Sequence, residues 1–494
     1  MHVELIECCE QESVSPGNAT EKAITATAGR RLTTVGTVLA LLLLAGALRF
    51  AGLGAWPFAN DELATFLEER SLFSASDADP ASQIYRLPRV VPLAYGLHHV
   101  GTRLFGSDEH GSRVVMALLG TLSVAAVFLA LDRLQGRPTA LIAALLVALW
   151  PEHLFQSQQT RFYITAAFFS TACLGAGAWA LALRSLAWTV VACLLALAAM
   201  LCHTLTGILF PMLLCATLAG YRARHESMPR PILLAMLVTM GLVALLVLVY
   251  LWPLLHGWNS VAPARYSVAH SILASLNSLG WPVALLAAAG LVFSLRRRTS
   301  QDWYWGICTL SWIASCIVLP LVVVYHAEYR FPLAFTALVT AGALAGNVYA
   351  HLRRSGRWVA AVWLAAVCLM NFPSLVSHYA DGDRIDVRAA ARYVQDHWRP
   401  GDRVVGTEMT AVMFRHYAPQ CTPVAVVPTN NPLPELRQAV LPEQRTWILL
   451  QSWREGLPDD VRRWLGRNTS HESTVRHKRY DYAEYCVDVF LRQP

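Results

Sequence analysis

The chain has 494 residues, of which 55% are hydrophobic and only 15% charged, and its formal net charge is +7. Soluble domains carry roughly a quarter charged residues, so this composition excludes an ordinary soluble protein and predicts a polytopic membrane protein. The basic excess sits in short clusters between apolar runs with no aromatic-interleaved basic face, which excludes nucleic acid as a partner and assigns the charge to topology.

Residues 1–31 are polar, include Lys22, Arg30 and Arg31, and read as a cytoplasmic tail. The apolar run 32–53 that follows is too long for a signal-peptide core, so it is expected to stay as the first span. At roughly 20 apolar residues per crossing, eleven spans are predicted, at about 33–53, 112–131, 138–155, 162–183, 186–202, 204–221, 231–255, 275–295, 303–325, 331–350 and 358–377. Glu152 and His153 cut the third short, and the fifth and sixth are one apolar run divided near Cys202-His203-Thr204. Alternate short connections hold Arg133 and Arg137, Arg184, Arg222, Arg224 and Arg230, Arg296 to Arg298, and Arg353, Arg354 and Arg357, whereas the opposite ones hold only Arg161, Arg265 and Arg330. Cytoplasmic loops are the basic ones. The N-terminus is therefore expected inside, and the segment after 377 outside.

The first outer loop, 54–111, is the one long charged interruption of the apolar sequence and opens with Asn60-Asp61-Glu62. Asn60 or Asp61 suits a helix N-cap, with Glu62 complementing the dipole. Two amphipathic stretches, 63–73 and 90–105, are expected to lie on the membrane as a shelf, which would hold Asp61 at head-group level, where a base acting on a lipid-borne substrate is needed. The turn between the third and fourth spans gathers Glu152, His153, Gln158, Gln159, Arg161 and Tyr163. His203 and Thr204 mark another outward turn, and Tyr325, His326, Glu328, Tyr329 and Arg330 crowd the one before the tenth span. An arginine at that depth is costly unless paired, so Arg330 is expected to meet a phosphate or a carboxylate; Arg265, beside Tyr266, is a second candidate.

Seven of the eleven cysteines lie in apolar spans at irregular spacing, which argues against a metal cluster. The tail after 377 is charged and long enough for a small α/β domain. A helix is expected over 384–398, strands at 403–406, 424–427, 446–450 and 485–491, and a helix at 459–465. Cys421 and Cys486 share this segment and are either a disulfide or two thiols.

Several motifs together resemble those of the GT-C glycosyltransferases, in particular the bacterial relatives of protein O-mannosyltransferases and of the lipid A aminoarabinose transferase. They are the acidic pair after the first span, Pro92-Leu93-Ala94-Tyr95-Gly96, Leu104-Phe105-Gly106 with Glu109 and Arg113, and Ser157-Gln158-Gln159-Thr160-Arg161-Phe162-Tyr163. Tyr329-Arg330-Phe331-Pro332, Asp386-Val387-Arg388-Ala389-Ala390 and Pro400-Gly401-Asp402 complete the series. The resemblance implies an all-α GT-C-like membrane domain over 32–377 and an extracytoplasmic α/β domain over 378–494. It implies transfer of a sugar from a polyprenyl phosphate to a protein, lipid or glycan on the outer face of the plasma membrane, with Asp61 as general base and Glu62 beside it. Arg330, Arg161, His326, Tyr329 and Arg265 are the expected ligands of the donor phosphate. Gln159 stands where the family often has a Glu that helps hold a divalent cation, so a Mg or Mn site would fall to Glu152 or Glu62. A transporter or flippase is the main rival. Transporters place ionisable groups near the bilayer midplane, whereas here the polar residues gather at outward turns.

Overall fold

The computed structural model describes residues 16–73, 91–251, 268–322, 327–352, 354–381, 386–428, 432–452, 457–478 and 484–494. Among them seven helices are long and apolar enough to cross a membrane, or nine spans if each of two bent helix pairs counts as one. The chain is an integral multi-pass membrane protein. In its described part, each of the eleven predicted segments coincides with helix, but Leu186–Cys202 and Arg354–Met370 run to only 17 residues each. The first ends at the predicted break, His203, and the second stops ahead of Phe372-Pro373, so fewer full-length crossings result than predicted.

Two predicted spans are broken. In the third, helices Arg137–Ala148 and Pro151–Ser157 meet at 61°. Pro151 has no N–H to give the carbonyl of Val147, four residues back. Arg49, fully buried at the end of the first span, supplies the missing donors: its guanidinium reaches the Val147 and Ala148 carbonyls at 3.4 Å each. The same group contacts His153 Nδ1 at 2.8 Å, so a charge in the membrane domain is offset by the carbonyl end of a helix and an imidazole. In the eighth, Ser271–Leu279 turns through 101° into Trp281–Arg297 at Gly280, whose φ of 78° suits only glycine. That predicted span is therefore a short helix lying across the domain followed by one 17-residue helix.

Small residues let the helices approach closely. Phe331–His351 is buried along most of its length, and a Cβ placed on Gly290 of the Trp281–Arg297 helix would overlap the Thr340 carbonyl oxygen.

Helices Asn60–Phe73 and Pro92–Phe105, within the two stretches expected to form a shelf, are too short to be spans and pack against each other; the pair is called the shelf below. The tail folds into a five-stranded sheet of order β2-β1-β3-β5-β4. The strands are β1 (Arg403–Thr407), β2 (Val424–Val427), β3 (Thr446–Ser452), β4 (Ser470–Lys478) and β5 (Glu484–Arg492). β1 runs parallel to β2 and β3, and β5 antiparallel to β3 and β4. The predicted strands are all present; β4 and the helix Glu408–Tyr417 were not foreseen. Cys421 is a free thiol, so it is not bridged to Cys486.

This domain sits on the shelf. Phe58, Leu63 and Phe66 join Val387, Ala391, Val404, Met413 and Phe414 in one buried apolar cluster. The Tyr417 hydroxyl accepts from the Phe58 N–H at 2.7 Å and lies 3.2 Å from Glu109, which also pairs with Arg388 at 3.3 Å. Asn60 donates to the Gln451 side chain at 2.9 Å, at the carboxyl end of β3.

Gly290→Val is expected to destabilise the detergent-solubilised protein by about 1–3 kcal/mol, read as a lower unfolding midpoint. Gly241→Ala, where an added methyl meets nothing within 4 Å in the interior of a helix, is the control and should not lower the midpoint.

Candidate functional site

The acidic pair of the first outer loop divides its labour by helical geometry. Successive residues on a helix point about 100° apart, and here Glu62 turns inward while Asp61 turns outward. Glu62 is wholly buried and receives a bidentate grip from Arg113, with Nε and Nη2 each 3.0 Å from one carboxylate oxygen. The same carboxylate accepts from the backbone N–H of Ala59 and of Thr160, at 2.8 Å each. Arg113 spends its remaining donors on the carbonyls of Leu53, Trp56 and Pro57 at 2.9–3.0 Å. One ion pair thus fastens the end of the first span, the start of the shelf and the turn at Thr160.

The Asp61 side chain is 65% exposed. Arg161 approaches it at 3.6 Å and holds the same turn through the Asp61 carbonyl at 3.1 Å and the Thr65 hydroxyl at 2.8 Å. The guanidinium lies 4.5 Å from the Phe162 ring centroid and 5.6 Å from that of Tyr163. His203 stands between Tyr163 and Tyr329, at 5.6 and 5.1 Å between centroids, so three of the predicted turns meet in one aromatic wall beside Arg161. Of the predicted phosphate ligands, the structure therefore brings Arg161 and Tyr329 to Asp61. His326 and Arg265 lie outside the described residues.

Arg330 takes the other partner left open by its sequence position. It pairs with the carboxylate of Glu152 at 3.5 Å and donates to the Ala274 carbonyl at 2.8 Å, while Ser278 hydrogen-bonds the same carboxylate. Glu152 and Glu62, the two candidate metal ligands, thus each face an arginine, and among the described residues no three His, Cys, Asp or Glu side chains converge on one point. A guanidinium against a carboxylate supplies repulsion where a divalent ion would need a further anionic ligand. The donor set does not fit a metal, and no step below uses one.

Three residues were not foreseen. Asp61, Thr65 and Glu68 follow one another at helical spacing along one face of Asn60–Phe73. Glu68, buried at 2% exposure, accepts a short hydrogen bond from the hydroxyl of Tyr95 in the facing shelf helix. One turn beyond Tyr95 stands His98, 1% exposed, its ring edge-on to the tyrosine at 6.3 Å. Burial pushes the Glu68 carboxyl up to about 8 against the counteracting Tyr95 hydrogen bond and the charge of Arg161, and it pushes His98 down to about 3. Both are accordingly uncharged near neutrality. The shared spacing was the available signal.

Residues 89–252 match the family model of dolichyl-phosphate-mannose-protein mannosyltransferases. Among solved structures, ArnT from Cupriavidus metallidurans in the apo state aligns with a TM-score of 0.55 and 16% identity, covering 94% of this chain and 98% of that one. The same protein bound to undecaprenyl phosphate aligns with a TM-score of 0.53 and 16% identity over 92% of this chain and 98% of that one. The apo oligosaccharyltransferase of Archaeoglobus fulgidus aligns with a TM-score of 0.49 and 12% identity, over 78% of this chain and 64% of that one. No curated protein matches the chain in sequence. The chain thus shares the fold of ArnT over nearly its whole length, and the family match covers about a third of it.

Arg113→Leu, which strands Glu62 without a counter-charge, is expected to cost about 3–5 kcal/mol of stability and to sharply reduce the folded yield. Arg113→Lys, which keeps the charge but loses the fork, should be intermediate; thermal unfolding monitored in detergent distinguishes the two.

Proposed function

We propose that the chain transfers a sugar from a polyprenyl-phosphate donor to an acceptor at the extracytoplasmic membrane surface, with Asp61 as general base and Arg161 as the cation for the donor phosphate. The observation that carries this reading is the pairing of an exposed carboxylate with a buried, aromatic-backed guanidinium 3.6 Å away, at the shelf of a GT-C fold. The family match and the undecaprenyl phosphate bound by ArnT support the donor class.

The reaction breaks the bond between the anomeric carbon and the phosphate oxygen, whose electrons leave with the polyprenyl phosphate. A bond from the anomeric carbon to an acceptor oxygen or nitrogen forms, and the acceptor's proton passes to Asp61. Charge grows on the departing phosphate as the bond lengthens, and a guanidinium preset within reach lowers that barrier without reorganising. Tyr163, His203 and Tyr329 give Arg161 an apolar backing that keeps water from screening it. Glu62 acts on Asp61 only through the backbone it fixes and is a positioning residue. Arg330, matched to Glu152, positions the turn that carries Tyr329. The cytoplasmic N-terminus and outer tail domain follow from the basic-loop bias; the acceptor, whether protein, lipid or glycan, would approach between Asp61 and that domain.

Asp61→Asn is expected to lower transfer from radiolabelled polyprenyl-phosphate sugar by about 10²–10⁴-fold while the unfolding midpoint and affinity for the lipid phosphate stay near wild type. Near-normal turnover would remove Asp61 from the mechanism. Arg161→Ala should instead weaken binding of bare undecaprenyl phosphate, and unchanged affinity would contradict its assignment.

A further inference from the structure

We infer that Glu68, Tyr95 and His98 form a subsite for the hydroxyl groups of the transferred sugar, next to Asp61; this rests on the reading of the chain as a polyprenyl-phosphate-sugar transferase. Oε1 of Glu68 and both ring nitrogens of His98 are buried with no hydrogen-bond partner among the described residues, and so is Nε of Arg161. An orphaned buried polar atom gives up its bonds to water without replacement, and native proteins leave few of them. Those of Glu68 and His98 lie to either side of Tyr95, and Arg161 reaches Asp61 on the same helix as Glu68, so together they point to a polar ligand that completes them.

The chemistry of the set selects the ligand. A phosphate or sulfate offers only acceptor oxygens and is repelled by carboxyl lone pairs, so the surroundings of Glu68 do not suit it. The Tyr95 hydroxyl already donates to Oε2 of Glu68, which leaves the proton of the neutral acid on Oε1, pointing to a guest. Neutral His98 offers one donor and one acceptor nitrogen. A mixed array of donors and acceptors without net charge matches a polyhydroxylated ring, whose every hydroxyl both gives and takes. Arg161, pairing at 3.6 Å with Asp61 on the rim, is left to handle the charged end of the same donor. Reactive carbon, phosphate and hydroxyls are thereby read by three adjacent groups of residues.

The test uses the full-length protein in detergent. Its probes are bare undecaprenyl phosphate and its glucosyl, mannosyl and galactosyl forms, the last two being the C2 and C4 epimers of the first. Wild type is expected to bind one of the sugar-lipids at least about ten-fold more tightly than the others, because a site built to hydrogen-bond a hydroxyl rejects the epimer that misplaces it. His98→Ala and Glu68→Ala should erase most of that preference and leave affinity for the bare lipid unchanged. Glu68→Gln keeps the size and the Tyr95 contact and guards against a variant that merely misfolds; it should retain part of the preference. Groups facing Glu68 are Tyr95, Arg161 and Asp61. As pH rises through about 8 the acid loses the proton it donates, so sugar preference should fall there in wild type and stay flat in Glu68→Gln. Equal losses for bare and sugar-bearing lipids, or preserved preference in the His98 and Glu68 variants, would overturn the subsite and leave the transferase reading intact. Failure of wild type to bind any of the four lipids would overturn the transferase reading itself, and the subsite with it.

Discussion

Arg113 and Glu62 meet with no exposed surface on either side chain, and neither charge is tolerable at that depth without the other. Because the carboxylate also takes two backbone N–H groups and the guanidinium three carbonyls, the pair works as a knot in the main chain. It sets the direction in which the shelf helix leaves the first span, and hence the direction in which Asp61 points. An exposed carboxylate has no fixed aim unless something rigid holds its backbone, and here a buried ion pair supplies that rigidity.

The same economy recurs at two other points in the membrane domain. Arg49 replaces the donor that Pro151 removes from the third segment, and Arg330 meets Glu152 where helices from three parts of the chain come together. In each case a cation buried in an apolar setting is matched by helix-end carbonyls or a carboxylate. These arginines are joints of the scaffold; Arg161 differs from them in that its acidic partner is open to solvent.

How far the sequence foretold this depends on what a linear pattern encodes. Hydropathy located the helices because burial in lipid demands length, and short apolar runs located four of the five strands of the tail. β4, Ser470–Lys478, escaped because it is an edge strand with charged residues, which is how an edge avoids pairing with strangers but also how it hides from a search for apolar runs. Asp61, Glu62 and Arg161 stood out as polar residues at returns to one face. The inward turn of Glu62 and its marriage to Arg113 were not legible, since the pair spans 51 positions and only the fold brings them together. Arg330 was recognised as needing an anion, but sequence alone gave no ground to prefer carboxylate over phosphate. Tyr95 was quoted only as part of a motif, and Glu68 and His98 were passed over because their stretches read as helices lying on the membrane.

Phe58 and Phe66 reach out of the shelf into the apolar interior of the sheet domain, alongside Met413 and Phe414. The two halves are thus complementary castings. Before the tail is made, two phenylalanines lack the partners that bury them, and a tail released by proteolysis would carry away an empty greasy socket. Maturation of this protein therefore has an order written into it: the roof can close only after the floor is laid, and until it does the nascent chain offers chaperones and proteases an obvious handle.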